Sequence, residues 1–222
     1  HLSIRRQRQM CIRDRYLYKA ETSSPIKDNK LSPRITETAK SLWGVYLILT
    51  VICMFFYKLA GMDYFDAIGH SFSTVSIGGF STHNESIGYY SSDYIKIICM
   101  TFMFLSALNF VLHFLFYKTK SFSNYFSSSE TRTFLSIIIG LLVLVFLFSI
   151  GGRLSSIDNI DLIFHVLSFV TTSGFTVTEY SAWPTFVITL IFLSSFIGAC
   201  AGSAGGGMKV IRITIALKSI KK

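Results

Sequence analysis

The sequence predicts an all-α membrane protein, and its composition is the first observation that supports this fold class. The 222 residues are 51% hydrophobic, include 21 Phe and carry only 15% charged residues. A helix that crosses a bilayer needs about 20 mostly apolar residues, and four stretches are near or above this length: Ser41–Tyr57, Ile97–Tyr117, Thr133–Gly152 and Tyr180–Met208. A helix in a soluble core needs only one apolar face. Stretches that are apolar on every side therefore favour a membrane.

The distribution of the net charge of +9 is the second observation. Ten Lys or Arg residues precede the first span, Lys118, Lys120 and Arg132 separate the second span from the third, and five follow Met208. The other two connections are mainly acidic. This alternation is the positive-inside pattern, and it predicts cytoplasmic termini, a cytoplasmic middle loop and outward acidic connections. Basic residues that alternate with spans exclude a nucleic-acid-binding patch.

The segments before the first span are not expected to belong to the membrane fold. Residues 1–15, HLSIRRQRQMCIRDR, are predicted to be atypical, either foreign or disordered sequence, and no apolar region follows them as in a cleaved signal peptide. Residues 16–40 are predicted to be a cytoplasmic linker. Because the chain starts with His1 instead of Met, we expect it to be a fragment of a longer protein.

An internal repeat is the third observation, and it divides the rest of the chain. A shift of 95 residues aligns Asp63–Ser86 with Asp158–Ser181, and nine of the 24 positions are identical. An apolar span lies before and after each copy. We therefore predict two repeats, at residues 41–120 and 121–222, and each consists of a span, a short outward segment and a second span.

Each copy is predicted to form a half-length helix that dips into the membrane. The copies begin with Asp-x-x-Asp, and the first carboxylates, of Asp63 and Asp158, are expected to accept hydrogen bonds from free N–H groups of the first helical turn. The helices are expected to end near Ser76 and Thr171, after which the chain turns back as an extended strand. Irregular backbone is tolerated at membrane depth only where protein buries it or where it lines a water-filled path.

The glycines of the two copies allow two interpretations. Backbone carbonyls can replace the hydration shell of a cation, and the backbone angles that this requires favour Gly. The alternative is a re-entrant turn, or a helix contact, in which glycines serve close packing. The sequence Gly-Phe-Ser/Thr recurs in both copies, from Gly79 and from Gly174, and this recurrence favours the pore.

A glycine-rich run predicts that the last of the four spans is broken inside the membrane. Five glycines occur in the ten residues Gly198–Gly207, which is a poor helical sequence. Close packing of helices is the alternative explanation for the run. Lys209 lies directly after the run. It is either an interfacial lysine whose ammonium reaches the membrane surface, or a lysine whose ammonium reaches toward a cavity on the ion path and repels cations there.

Enzymatic and metal-binding functions are not supported by the motifs. GSAGGGMKV departs from a phosphate-binding loop at Met208 and Val210, and AGSAG around Ser203 lacks the first Gly of a nucleophile turn. The four cysteines are scattered singly, without metal-ligand spacing. We expect neither an enzyme nor a bound cofactor.

Four stretches resemble the Trk-type potassium-uptake proteins, the superfamily that includes the Ktr and HKT transporters. They are YKAETSSPIKDNKLSPRITETAKSLW from Tyr18, AIGHSFSTVSIGGFSTHNESIGYY from Ala67, FVTTSGFTVTEYSAWP from Phe169 and SFIGACAGSAGGGMKVIRI from Ser195. The resemblance implies a subunit of four membrane-pore-membrane repeats around one pore. This chain matches the second and third repeats, so it is not expected to conduct ions alone.

The resemblance also implies roles for residues at matching positions. The selectivity filter would comprise the backbone carbonyls of Ser76, Ile77, Gly78 and Gly79 in one copy and of Thr171, Thr172, Ser173 and Gly174 in the other. The family places a gate, an intramembrane loop, at the glycine run, which would include Gly198, Gly202, Gly205, Gly206, Gly207 and Lys209.

The function that the resemblance implies is potassium transport, including symport, in the inner membrane of a bacterium. The expected partners are potassium, membrane lipid, a second copy of the subunit in a homodimer and a cytoplasmic nucleotide-binding regulatory ring, with no nucleic acid. A sodium-permeable relative of the same superfamily and a non-conducting membrane scaffold with packing glycines are the alternatives.

Overall fold

The computed structural model describes residues 35–149, 157–180 and 183–220, and the helices in these ranges account for the fold. The expectations for residues 1–15, and those for most of the linker at 16–40, lie outside the described residues. Nine α-helices are present in the described ranges: α1 Ile35–Leu59, α2 Tyr64–Val75, α3 Asp93–Ala107, α4 Phe110–Thr119, α5 Ser123–Ser127, α6 Ser129–Phe148, α7 Asn159–Val170, α8 Thr185–Ser194 and α9 Val210–Ile220. Because no β-strand occurs in them, the all-α prediction is confirmed.

Two helices of the described part are long and apolar enough to cross a membrane, and a third span is possible. Residues Ala39–Leu59 of α1 and all of α6 meet this criterion, and α3 and α4 meet it together as a pair bent by 95°. Large apolar side chains such as Trp43, Val51 and Leu147 are exposed on the outside of these helices. Continuous exposed apolar surface fits contact with lipid. The chain is a membrane protein.

Two apolar cores hold the helices together. In the first core, Tyr57 of α1, Val75 of α2 and Met103 of α3 are fully buried, and Phe164 of α7 packs with them. The second core joins α6, α7 and α8 to the segment between α8 and α9. Because Phe164 belongs to the first core and α7 to the second, the two copies of the repeat share one packed interior.

The stretch Ile97–Tyr117 differs from the sequence expectation, in which only the last span is broken. Helix α3 ends at Ala107, Leu108 is extended, and Asn109 caps α4 by accepting a hydrogen bond from the Val111 N–H group at 2.9 Å. A break at membrane depth leaves backbone groups without helical partners. Here a distant segment supplies the partners. The Cys200 N–H group donates to the Ala107 carbonyl at 3.1 Å, and the Ala204 N–H group donates to the Ser106 carbonyl at 3.2 Å. In the other direction, the Phe110 N–H group donates to the Gly202 carbonyl at 3.1 Å.

The segment that supplies these partners is the glycine loop, which we define as residues 195–209. Helix α8 ends at Ser194 and α9 begins at Val210, so the helix is interrupted at the glycine run. The two limbs of the loop pair with each other, because the Gly198 N–H group donates to the Met208 carbonyl at 3.0 Å and the Met208 N–H group to the Phe196 carbonyl at 3.1 Å. The free backbone groups at the break between α3 and α4 therefore find their hydrogen-bond partners in the glycine loop between α8 and α9.

Candidate functional site

The two half-length helices, α2 and α7, end in the same hydrogen-bonded turn. In α2 the Ile77 N–H group donates to the Thr74 carbonyl at 3.2 Å, and the Gly78 N–H group donates to the Ser73 carbonyl at 2.8 Å. After α7 the Thr172 N–H group donates to the Phe169 carbonyl at 3.0 Å, and the Ser173 N–H group donates to the Ser168 carbonyl at 2.8 Å. These pairs of bonds are the Schellman motif, which reverses the chain after a helix.

The residue that reverses the chain is not glycine in either helix. Ile77 has φ 57° and Thr172 has φ 64°, which place both in the left-handed region. β-Branched residues rarely adopt this conformation, and it costs about 1–3 kcal/mol. Gly79 and Gly174 follow two residues later with φ 69° and 83°. We call Ser76–Gly79 the first turn segment and Thr171–Gly174 the second; each therefore holds one strained residue and one glycine of positive φ.

The two turn segments touch. A Cβ atom added at Gly79 would overlap the carbonyl oxygen of Ser173, so only glycine fits at this position without movement of the backbone. A Cβ atom at Gly174 would meet no atom within 4 Å, and its positive φ is the constraint there. The chains beyond the segments also pair, because the Gly88 N–H group donates to the Thr176 carbonyl at 3.2 Å. The turn segments of the two copies thus form one continuous backbone surface.

The glycine loop contacts the second turn segment from another side. The Gly206 N–H group donates to the Thr172 hydroxyl oxygen at 2.9 Å. A Cβ atom at Gly205 would lie 3.2 Å from the Thr171 carbonyl oxygen and 3.6 Å from Cδ1 of Ile77. The structure therefore brings two of the sequence-predicted gate glycines next to residues of both predicted filter segments.

The remaining predicted gate residues serve the shape of the loop. A Cβ atom at Gly198 would overlap the Gly206 carbonyl, and one at Gly207 would lie 2.9 Å from the Gly198 Cα. Gly202 has φ 70° and lies against the side chain of Asn109 at the break between α3 and α4. Lys209 folds back onto the loop, because its Nζ donates to the Gly205 carbonyl at 2.5 Å.

A carboxylate at the start of α2 fixes the chain beyond the first turn segment. Asp66 accepts hydrogen bonds from the Tyr90 hydroxyl at 2.7 Å, the Thr82 hydroxyl at 2.7 Å and His83 Nε2 at 3.0 Å. These bonds lower the pKa of the Asp66 carboxyl to about 2, and the bond from the Tyr90 hydroxyl has the largest effect. Burial, and then the bond to Asp66, raise the pKa of the Tyr90 hydroxyl. The segment between residues 82 and 90 is thereby held over the N-terminal end of α2.

The carboxylate at the matching position of α7 has a different partner. Asp161 accepts a hydrogen bond from Lys96 Nζ at 2.6 Å, and both side chains are nearly buried. Sequence reasoning treated both as charges of outward connections and missed this link between α3 and α7. The available signal was that Lys96 lies inside an apolar helix, where a cation needs a partner. Asp63 and Asp158 are the N-cap residues of α2 and α7, as the sequence predicts, but neither side chain makes the expected capping hydrogen bond.

An open cavity of about 600 Å³ lies beside the paired chains, lined by Glu85, Gly88, Thr176, Val177, Thr178, Glu179 and Tyr180. Its lining includes two carboxylate residues, and it adjoins the backbone that follows the second turn segment. Within the described ranges, no group of three or more His, Cys, Asp or Glu residues could hold a metal ion.

Comparison with known proteins gives consistent matches along most of the chain. The sequence profile of the TrkH family, described as a cation transport protein, matches residues 10–222. The chain is 47% identical over 206 residues to the Trk system potassium uptake protein TrkH of Halomonas elongata, a match that covers 91% of this chain and 42% of that protein. It is 40% identical to the Trk system potassium uptake protein TrkG of Escherichia coli, over 92% of this chain and 43% of that protein.

A solved structure gives the same result for the fold. The crystal structure of the potassium transporter TrkH from Vibrio parahaemolyticus superposes with a TM-score of 0.79 at 44% sequence identity. The superposition covers 86% of this chain and 42% of that structure. The chain thus spans about 42% of the length of the curated relatives it matches.

Proposed function

Since the chain belongs to the TrkH family of cation transport proteins, we propose that it forms part of the ion pathway of a potassium-uptake subunit. Its relatives are potassium uptake proteins by name, and the chain covers less than half of their length. Potassium transport is therefore proposed for the longer protein of which this chain would supply the second and third membrane-pore-membrane repeats. The contact between the two turn segments is the observation that carries the proposal.

The turn segments are proposed to be two sides of the selectivity filter, with the carbonyls of Ser76–Gly79 and Thr171–Gly174 as ligands. Cation filters of this kind replace the hydration shell with backbone carbonyl oxygens. The strain at Ile77 and Thr172 supports this role, because strained backbone persists where the surrounding structure holds it for a function. The C-terminal ends of α2 and α7 both lead into the segments, and the negative ends of two helix dipoles favour a cation there.

The glycine loop is proposed to be a gate. The contact of its tip with the second turn segment, through Gly206 and Thr172, supports this role, because a loop beside a filter would obstruct an ion that leaves it. Small residues let the loop occupy a narrow space, and a loop can move without unfolding a helix. Lys209, bound to the loop carbonyl of Gly205, would place a cation beside the same path.

Topology and partners follow from the charge pattern and the family resemblance. The termini and the loop around Ser127 are proposed to be cytoplasmic, and the connections around Glu85 and Asp158 to face outward, in a bacterial inner membrane. We propose that the subunit is a homodimer bound to a cytoplasmic nucleotide-binding ring. The exposed apolar side chains of α1 and α6 would contact lipid or neighbouring helices of the same subunit.

The test is ion flux through the intact subunit after reconstitution in liposomes. We expect rubidium and potassium to pass at least about ten times faster than sodium, because carbonyl ligands that favour potassium over sodium by about 1.4 kcal/mol suffice for a tenfold difference. Equal or faster sodium flux would replace the proposal with a sodium-permeable member of the superfamily. If correctly inserted protein conducts neither ion, with or without the cytoplasmic ring, the result would support the alternative of a non-conducting membrane scaffold.

A further inference from the structure

Glu130 is a buried carboxylate that lies outside both turn segments and outside the glycine loop. It occupies the first turn of α6 and is only 6% exposed. Burial of a carboxylate is costly unless hydrogen bonds or opposite charge compensate it. The position near the N-terminal end of α6 is favourable for an acid, but it does not explain why the side chain is directed into the protein.

The main partner of Glu130 is the backbone of the glycine loop. Oε1 accepts a hydrogen bond from the Ala201 N–H group at 2.6 Å, across 71 residues of sequence. Ala201 is 1% exposed, so its N–H group has no access to solvent at this point. The Lys209 ammonium, at the other end of the loop, attracts the same carboxylate electrostatically.

Glu130 does not cap its own helix, α6, although besides Ala201 its carboxylate also accepts a hydrogen bond from the Ile211 N–H group in the first turn of α9. Ser128 is the N-cap residue of α6, and its hydroxyl oxygen accepts from the Thr131 N–H group at 3.4 Å. The carboxylate therefore remains available to the loop. A hydrogen bond to an ionised acceptor is about twice as strong as one between neutral groups, so this bond fixes Ala201 more firmly than a peptide carbonyl would.

The anchored stretch leads to the contact with the proposed filter. On one side of Ala201, the Cys200 N–H group donates a hydrogen bond to the Ala107 carbonyl at the break between α3 and α4. On the other side the chain reaches Gly206, whose N–H group binds the Thr172 hydroxyl. The position of the loop tip beneath the second turn segment depends on where this stretch is held.

We infer that Glu130 is a positioning residue that holds the glycine loop against the second turn segment, so that loss of its acceptor oxygen releases the loop. The inference rests on the proposed function for its effect on ion flux, but the position of the loop can be measured without flux. Removal of the carboxylate would leave the buried Ala201 N–H group without a partner, and the loop must move to reach water or another acceptor.

The first measurement is the accessibility of the loop in the intact subunit, in nanodiscs that expose both membrane faces. Ser203, a half-buried loop residue, is replaced by cysteine as the reporter of modification by a water-soluble maleimide. Relative to S203C alone, we expect Glu130→Met to raise the rate at least about tenfold and Glu130→Gln, which keeps an acceptor oxygen, about two- to threefold. Ser136→Ala, an exposed change on α6, is the matched control and is expected to have no effect.

The second measurement is ion flux in the same variants without the reporter. We expect Glu130→Met to raise potassium flux several-fold while the potassium-to-sodium ratio stays constant, and Glu130→Gln to lie between it and the parent protein. A purely structural role would lower thermal stability and flux and leave the modification rate of folded protein unchanged, which would overturn the inference. If Glu130→Met does not insert, Glu130→Ala, which also lacks an acceptor oxygen, takes its place, and an unchanged modification rate in that variant overturns the inference equally.

The two measurements separate failure of the inference from failure of the proposed function. Faster modification in an intact subunit that conducts no ion would support the anchor and contradict the transport proposal. A conducting subunit in which neither Glu130 variant changes the modification rate would support transport and contradict the anchor.

Discussion

Asp66 and Asp161 occupy the same position of the repeat and yet have different partners. Asp66 binds the hydroxyl of Tyr90 and the ring of His83. In the second copy the residues 95 positions later are Thr185 and Thr178, which have shorter side chains. Asp161 instead binds Lys96 of α3. A repeat in sequence thus fixes the position of a carboxylate on its helix but not the group that it binds.

The low pKa of Asp66 predicts a defined loss of stability in acid. Its native pKa of about 2 lies below the value of about 3.9 in an unfolded chain. The stabilising effect is therefore complete above about pH 4 and is lost as the pH falls from 4 towards 2. We expect Asp66→Asn to lower the thermal unfolding temperature of the intact subunit at pH 6 and to reduce its change between pH 5 and pH 3.

The control for this prediction is Asp63→Asn. Asp63 is exposed and makes no capping hydrogen bond, so this variant should unfold like the parent protein at every pH. An Asp66→Asn variant with the same pH dependence as the parent would mean that the three hydrogen bonds to Asp66 contribute nothing to stability.

At the scale of elements, the half-length helices were predictable and the break in the second span was not. The ends of α2 and α7 lie at Ser76 and Thr171, where the mixed apolar run gives way to Ser, Thr and Gly. The break at Leu108 and Asn109 is marked only by Asn109, a residue type preferred at helix N-caps, in an apolar stretch without Gly or Pro. The break is stable because Cys200, Gly202 and Ala204 supply its hydrogen bonds. One polar residue is too weak a signal to predict the break, and the sequence does not show that a segment about 100 residues away supplies the hydrogen bonds.

The close contact between the limbs of the glycine loop makes a prediction for the proposed gate. A methyl group at Gly198 would overlap the Gly206 carbonyl and must separate the limbs. We therefore expect Gly198→Ala to displace the loop tip from Thr172 and to raise potassium flux several-fold, with the potassium-to-sodium ratio unchanged. Flux through the reconstituted intact subunit, corrected for the amount of inserted protein, measures this effect.

Gly140→Ala, a change in α6 outside the loop, is the control. A Cβ atom at Gly140 would meet no atom within 4 Å. This variant is expected to transport at nearly the parental rate. Lower flux in Gly198→Ala, in protein that is correctly inserted, would remove the gate and leave close packing as the role of the glycines.

At the scale of the whole molecule, composition and charge were sufficient for the fold class but not for the arrangement of its parts. The apolar stretches predicted a helical membrane protein, and the repeat identified the two segments that meet at Gly79 and Ser173. The buried pair of Lys96 and Asp161, and the anchor between Glu130 and Ala201, join residues that are 65 and 71 positions apart. A charged residue inside an apolar helix indicates that it has a partner, but periodicity and motifs do not identify which distant residue that partner is.

The topology of the whole molecule is testable by labelling. With the proposed orientation, an impermeant thiol reagent applied to intact cells should modify a cysteine that replaces Glu85 or Asp158, because both residues are exposed. It should not modify a cysteine at Ser127, an exposed residue at the end of α5, unless the cells are opened. Labelling of Ser127 alone from outside would invert the orientation.

The most direct test of the filter is the ratio of potassium to sodium flux in the intact subunit after a single change, Gly79→Ser. This change adds a side chain where the Ser173 carbonyl leaves no space, at a φ of 69° that favours glycine. Gly140→Ser is the matched control, because Gly140 lies in α6 with no atom within 4 Å of an added Cβ. We expect Gly79→Ser to lower the ratio by about tenfold or to abolish potassium flux, and Gly140→Ser to leave both unchanged. An inserted Gly79→Ser subunit with the parental flux and ratio would contradict the assignment of the turn segments to the filter.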